Sequence, residues 1–166
     1  MRLPQGALPL VLVSMLVACA APKGIDPAQS TLSAVRASLG SPTDIRFDQN
    51  GDELWEYARG PMGTETYLVR AGKDGRVKSV DQLLTEERFE KIVPGQMNKA
   101  DVRHLLGRPT DQVFLHNGTS WTWHVTVRPQ LGHFVVHFDA NDVVLDKFIL
   151  IDTGSGDSEG DRGDAG

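Results

Sequence analysis

Residues 89–111 read FEKIVPGQMNKADVRHLLGRPTD, and the fold is decided here. The run is a short helix, a Pro94-Gly95 turn, a second helix, and a Gly107-Arg108-Pro109 stop that launches a strand. Asn98 is a candidate N-cap. Asp101, three residues on, can reach back to the free amides of the first turn. Met97 and Val102 flank the cap as a hydrophobic staple does. Val102, Leu105 and Leu106 form a one-sided apolar stripe at helical spacing. Gly107 suits the left-handed residue that ends a helix, and Pro109 forbids its continuation.

The same phrase occurs earlier. Thr31–Asp44 reads TLSAVRASLGSPTD and Asn98–Asp111 reads NKADVRHLLGRPTD, sixty-seven residues apart. Val35, Arg36, Leu39, Gly40, Pro42, Thr43 and Asp44 meet identical residues at Val102, Arg103, Leu106, Gly107, Pro109, Thr110 and Asp111. Downstream, Trp55-Glu56-Tyr57 answers Trp121-Thr122-Trp123, and Tyr67-Leu68-Val69 answers Phe134-Val135-Val136. Two copies of one helix-then-strands unit account for most of the chain.

Outward from these helices the chain alternates strand patterns with turn signals. In the first copy, strands are expected at 44–47, 53–59, 64–71 and 76–83, separated by Asn50-Gly51, Gly60-Pro61-Met62-Gly63 and Lys73-Asp74-Gly75. Residues 84–92 carry the chain into the second copy by a short helix. Its strands are expected at 111–115, 120–127, 131–138 and 143–151, with turns at Asn117-Gly118, near Pro129 and at Asn141-Asp142. The fold class is therefore α+β: two tandem helix-plus-antiparallel-sheet repeats, at 30–84 and 85–152, with helices packed on one face of the sheets.

The ends have a different character. Residues 7–18, ALPLVLVSMLVA, are apolar behind a single charge, Arg2. The run is shorter than the about 20 residues of a membrane span and suits the core of a signal peptide at 1–18. It leads into Leu16-Val17-Ala18-Cys19, which resembles the lipobox of bacterial lipoproteins, where cleavage precedes an acylated cysteine. That resemblance implies lipidation at Cys19, and Ala20 in the next place implies the outer membrane. Two or more acyl chains make such anchoring stable. Cys19 is the one cysteine of the chain, so no intramolecular disulfide can form. Residues 19–29 are then the lipidated N-terminus and a Pro/Ala linker. Residues 153–166, TGSGDSEGDRGDAG, lack large apolar side chains and are expected to be a disordered acidic tail. Removing 1–18 shifts the net charge from −5 to −6, which points away from nucleic acid as a partner.

The second copy resembles the BamE (SmpA/OmlA) lipoprotein family, on Phe89, Ile92, Gly95, Val102, Leu106, Gly107 and Pro109, followed by Trp121 and Trp123 and an apolar strand ending in Phe138-Asp139. The first copy lacks the Phe89-to-Gly95 lead-in. A tandem of such units is also similar in architecture to the β-lactamase inhibitor protein. The family resemblance implies a non-enzymatic accessory lipoprotein of the machinery that inserts β-barrel proteins, held on the periplasmic face of the outer membrane. Its implied partners are outer-membrane lipid, through Cys19, and proteins of the cell envelope, the barrel-assembly machinery among them. The departure from the usual single unit, and the acidic tail, set this chain apart.

Reactive constellations are sparse. His133 and His137 lie in a strand pattern, where four residues span about 13 Å, too far to share a metal. His104, His116 and His124 are scattered, with no cysteine or paired-carboxylate partner. Asp139, Asn141 and Asp142 lack the glycine and closing glutamate of a calcium loop and suit a hairpin turn. No nucleophile elbow, Ser-x-x-Lys or phosphate loop occurs, so no enzymatic activity and no cofactor is expected. The candidates for partner binding are aromatic: Trp55 with Tyr57, and Trp121 with Trp123, each pair alternating onto one face of its strand. Either they are core beneath their own helix, or one pair lines an open concave face. Two functions follow: an envelope scaffold or adaptor, or a periplasmic inhibitor or ligand-binding module using that concave sheet.

Overall fold

Asn98 caps α3 (Lys99–Leu106) as its sequence requires. Its side chain accepts from the amides of Ala100 and Asp101, and the Asp101 carboxylate accepts from the Asn98 amide at 2.9 Å. Gly107 closes the helix at φ 78°, a backbone setting that costs a residue with Cβ. In the computed structural model, which describes residues 22, 24–27 and 29–152, this helix stands on the second of two four-stranded sheets. The first unit holds α1 (Leu32–Leu39), β1 (Asp44–Phe47), β2 (Glu53–Arg59), β3 (Glu65–Ala71) and β4 (Val77–Gln82), with a 3-10 turn at Pro61–Gly63. The second holds α2 (Glu86–Glu90), α3, β5 (Asp111–Leu115), β6 (Gly118–Val127), β7 (Gln130–Asp139) and β8 (Val144–Ile151). Both sheets are antiparallel meanders in chain order.

The two units repeat several backbone bonds at equivalent positions. Leu32 N–H donates to Gly75 O as Lys99 N–H does to Asp142 O, and Val77 N–H donates to Ser30 O as Val144 N–H does to Met97 O. Each helix's N-cap bridges the start of the last strand, Thr31 with Arg76 and Asn98 with Val143. The last strand pair carries its irregularity at Arg70/Ala71 and again at His137/Phe138. Thr43 N–H bonds Glu56 O, and Thr110 N–H bonds Thr122 O; here the spacing drops by one, as it does between the two aromatic pairs. α1 is capped less fully than α3: Thr31 offers a single cap bond to Ala34 N–H at 3.3 Å.

Alternation then sorts the side chains. Under α1, the first core gathers Leu32, Val35, Trp55, Tyr57, Val69 and Val77. Under α2 and α3, the second gathers Phe89, Ile92, Val102, Leu106, Trp123 and Phe134, with Met97 packed against its edge. Phe89 stacks on Phe134 at 4.2 Å between ring centres. A third, small cluster of Leu54, Leu68 and Leu83 lies on the opposite face of the first sheet.

One turn differs from its reading. The tight loop is His116-Asn117, and Gly118 already belongs to β6, paired with Leu115 and Asp139. The reason is a close approach: a Cβ on Gly118 would stand 1.9 Å from Phe138 O, so this glycine serves strand contact rather than the turn itself. The signal segment 1–18, Cys19 and the tail 153–166 lie outside the described residues.

Candidate interaction surface

The four aromatics singled out from sequence stand in the two cores. Trp55 and Tyr57 are 8% and 1% exposed, Trp121 and Trp123 8% and 0%. The helices cover the faces they occupy: α1 over Trp55 and Tyr57, α2 and α3 over Trp121 and Trp123. Trp121 meets Trp123 and Phe138 edge-on at 6.0 and 5.0 Å, which is aromatic core packing. The surfaces left to a partner are therefore the sheet faces and edges that carry the alternate residues.

On the first sheet that alternate face is covered by the second unit. Glu56, 1% exposed, accepts from Arg103 Nη1 at 2.6 Å and from the Arg108 amide at 2.9 Å, and it also pairs with Arg46. Arg103 Nη2 reaches Asp44. Gly107 lets α3 settle here, since a Cβ would stand 3.0 Å from Leu83 and 3.1 Å from Glu56. Burial, and next the neighbouring Arg103 charge, hold the Arg46 guanidinium down at about 10. Burial also lowers that of Arg103, against the Asp44 charge that raises it. A buried carboxylate facing guanidinium groups in this way fixes geometry more than it adds stability. Strand alternation puts Glu56 on the face opposite Trp55 and Tyr57 but carries no signal for its partner, which is remote in the chain.

The face of the second sheet turned away from its helices carries the histidines. His124 stands directly opposite His133, their rings 5.0 Å apart, and its Nδ1 is 2.7 Å from Met62 O in the first unit's 3-10 turn. His124 is thus neither isolated nor free. His133 Nε2 lies 3.2 Å from Asp152, and His137 Nδ1 3.0 Å from Asp146. Among the described residues no group of three or more His, Cys, Asp or Glu could hold a metal.

Residues 82–147, from the end of β4 into β8, match the family model described as the outer membrane protein assembly factor BamE domain. The second unit matches the BamE domain, over less than half of the chain. Of the residues that carry the BamE likeness, Phe89, Ile92, Val102, Leu106, Trp121, Trp123 and Phe138 are buried in one cluster, and Gly95 and Gly107 take positive φ, so these are scaffold. No curated protein matches the chain. Among solved structures the chain is similar to a DUF4309 family protein (YjgB) from Bacillus subtilis, with 17% identity over 78% of this chain and 83% of that one, at a TM-score of 0.30.

Proposed function

We propose that this protein is a non-enzymatic lipoprotein of the outer membrane that acts as an adaptor for envelope proteins, the barrel-assembly machinery foremost. The observation that carries this reading is the BamE domain at 82–147. The apolar leader and Cys19 support the anchor: acylation there tethers a water-soluble body to the periplasmic leaflet. The unit at 30–84 is in this reading a second, diverged copy of the one at 85–152, supported by the matched hydrogen bonds and bridges at Thr31 and Asn98. Residues 19–29 then serve as a spacer from the lipid and 153–166 as an acidic tail.

Replacement of the anchoring sulfur tests the tether. A Cys19→Ser form is expected in the soluble periplasmic fraction, while the parent partitions with outer-membrane vesicles on a density gradient. A Cys19→Ser form that stays wholly with the membrane contradicts lipid tethering.

A further inference from the structure

Among the described residues β8 is an edge strand, and its backbone phase is set by one bond. Asp152 N–H donates to Leu131 O. In the β7–β8 register this makes His133–Leu150, Val135–Phe148 and His137–Asp146 the hydrogen-bonded pairs. The N–H and C=O groups of Lys147, Ile149 and Ile151 therefore point away from the sheet. Val144, further up, is already covered: it bonds Gly95 N–H and Met97 O.

Natural sheets blunt such an edge with charge, proline or brevity. The equivalent strand of the first unit, β4, reads VKSVDQ and carries Lys78 and Asp81. β8 also carries one acid and one base, Asp146 and Lys147, but ends in four apolar residues, Phe148, Ile149, Leu150 and Ile151, that are 37–53% exposed. Beside it, between the edge and α2, lies a cavity of about 380 Å³ lined by Leu84, Phe89, Val125, Val127 and Ile149. Lys147 holds the α2 side of this groove in place, donating to Phe89 O at 2.6 Å and Glu90 O at 3.0 Å.

We propose that this groove takes an extended segment of another polypeptide, added to the sheet beside β8, with one apolar side chain in the cavity and basic residues flanking it. Main-chain bonds to Lys147, Ile149 and Ile151 supply affinity, and the cavity and charges supply selectivity. Charge decides the occupant. Glu86 borders the cavity and Glu90 follows on α2; on the sheet's other face Asp146 of β8 and Asp152, just past its end, stand beside His137 and His133. Against these four carboxylates, two on either face of the edge, stand Arg128 in the cavity lining and Lys147, whose ammonium is engaged by α2 carbonyls; Arg88 and Lys91 of α2 are taken up by Leu105 O and Glu87. Such a rim repels an anionic bilayer. It also opposes a second copy, since an antiparallel β8 pair centred on Ile149 sets Asp146 against Asp152 of its mate.

The experiment uses the purified full chain in a mild detergent and two peptides, one alternating valine with lysine, the other valine with glutamate. The lysine peptide is expected to bind and to slow hydrogen exchange at the Lys147, Ile149 and Ile151 amides, leaving the already bonded Phe148 and Leu150 amides unchanged. The glutamate peptide is expected to bind at least roughly tenfold more weakly. Ile149→Pro removes an outward donor from the edge and an isoleucine from the cavity wall and should weaken the lysine peptide roughly tenfold. Glu86→Lys with Glu90→Lys, on the helix surface, should do the same without touching the sheet. Equal binding of both peptides, binding without protection of those three amides, or no binding overturns the proposal, as does protection by phosphatidylglycerol vesicles or by self-association in place of the peptide. No envelope component enters the assay, so its failure leaves the adaptor reading standing, and failure of that reading leaves the groove.

Discussion

Arg103 on α3 places Nη1 2.6 Å from Oε1 of Glu56 on β2, so a helix of the second unit is ion-paired to the sheet of the first. Glu56 is also the acceptor for the Arg108 amide and the partner of Arg46. Replacing it by alanine leaves two guanidinium groups half-buried without their carboxylate. Glu56→Ala should lower unfolding stability by about 3–5 kcal/mol, read by urea denaturation. A loss below about 1 kcal/mol would mean that the pair behaves as a surface contact.

Trp123, 0% exposed, fills the second core against Phe134 and Trp121. Trp123→Ala should cost about 3–5 kcal/mol in the same measurement. A variant that keeps its stability yet loses a partner would restore this side chain to an interface.

Gly118 and Gly75 separate two reasons for glycine. At Gly118 a Cβ meets Phe138 O at 1.9 Å, whereas at Gly75, φ 75°, nothing stands within 4 Å. Gly118→Ala should force the β6–β7 pair apart and cost about 1–3 kcal/mol. Gly75→Ala should cost only the left-handed backbone, about 1 kcal/mol. Melting temperatures of the two variants order them, and the reverse order would contradict the close approach.

Asp139 accepts from the amides of Val143 and Asn141 in the β7–β8 turn. The Val143 bond first, and then the Asn141 bond, hold its carboxyl below the usual carboxylate range. A depressed acid contributes stability that is complete above its unfolded value, about 3.9, and is lost as pH falls through the folded value. Asp139→Asn should therefore flatten the decline in melting temperature below about pH 4. An unchanged acid limb would assign that decline to other carboxylates.

Most of the fold was legible because its signals are local. The Asn98–Asp101 cap, the Gly107 stop, strand alternation and the duplicated phrase each act within a few residues or at one fixed spacing. Strand limits departed from their readings by a residue or two, most visibly at Gly118, where a strand from elsewhere in the unit imposes the glycine. The surface was harder. Alternation put Trp121 and Trp123 on one face but said nothing of which face α2 and α3 cover. The Glu56–Arg103 pair joins residues forty-seven positions apart, and no periodicity reports that. The edge position of β8 was likewise silent, since VLDKFILI reads as a buried strand until its place in the sheet order of the described residues is seen.

The most direct test of the adaptor reading is capture from detergent-solubilised envelopes with the lipid-bearing, full-length protein as bait. Recovery of barrel-assembly components, retained after a salt wash, is the expected result. Recovery of a soluble periplasmic hydrolase in their place, inhibited by the bait, would contradict it.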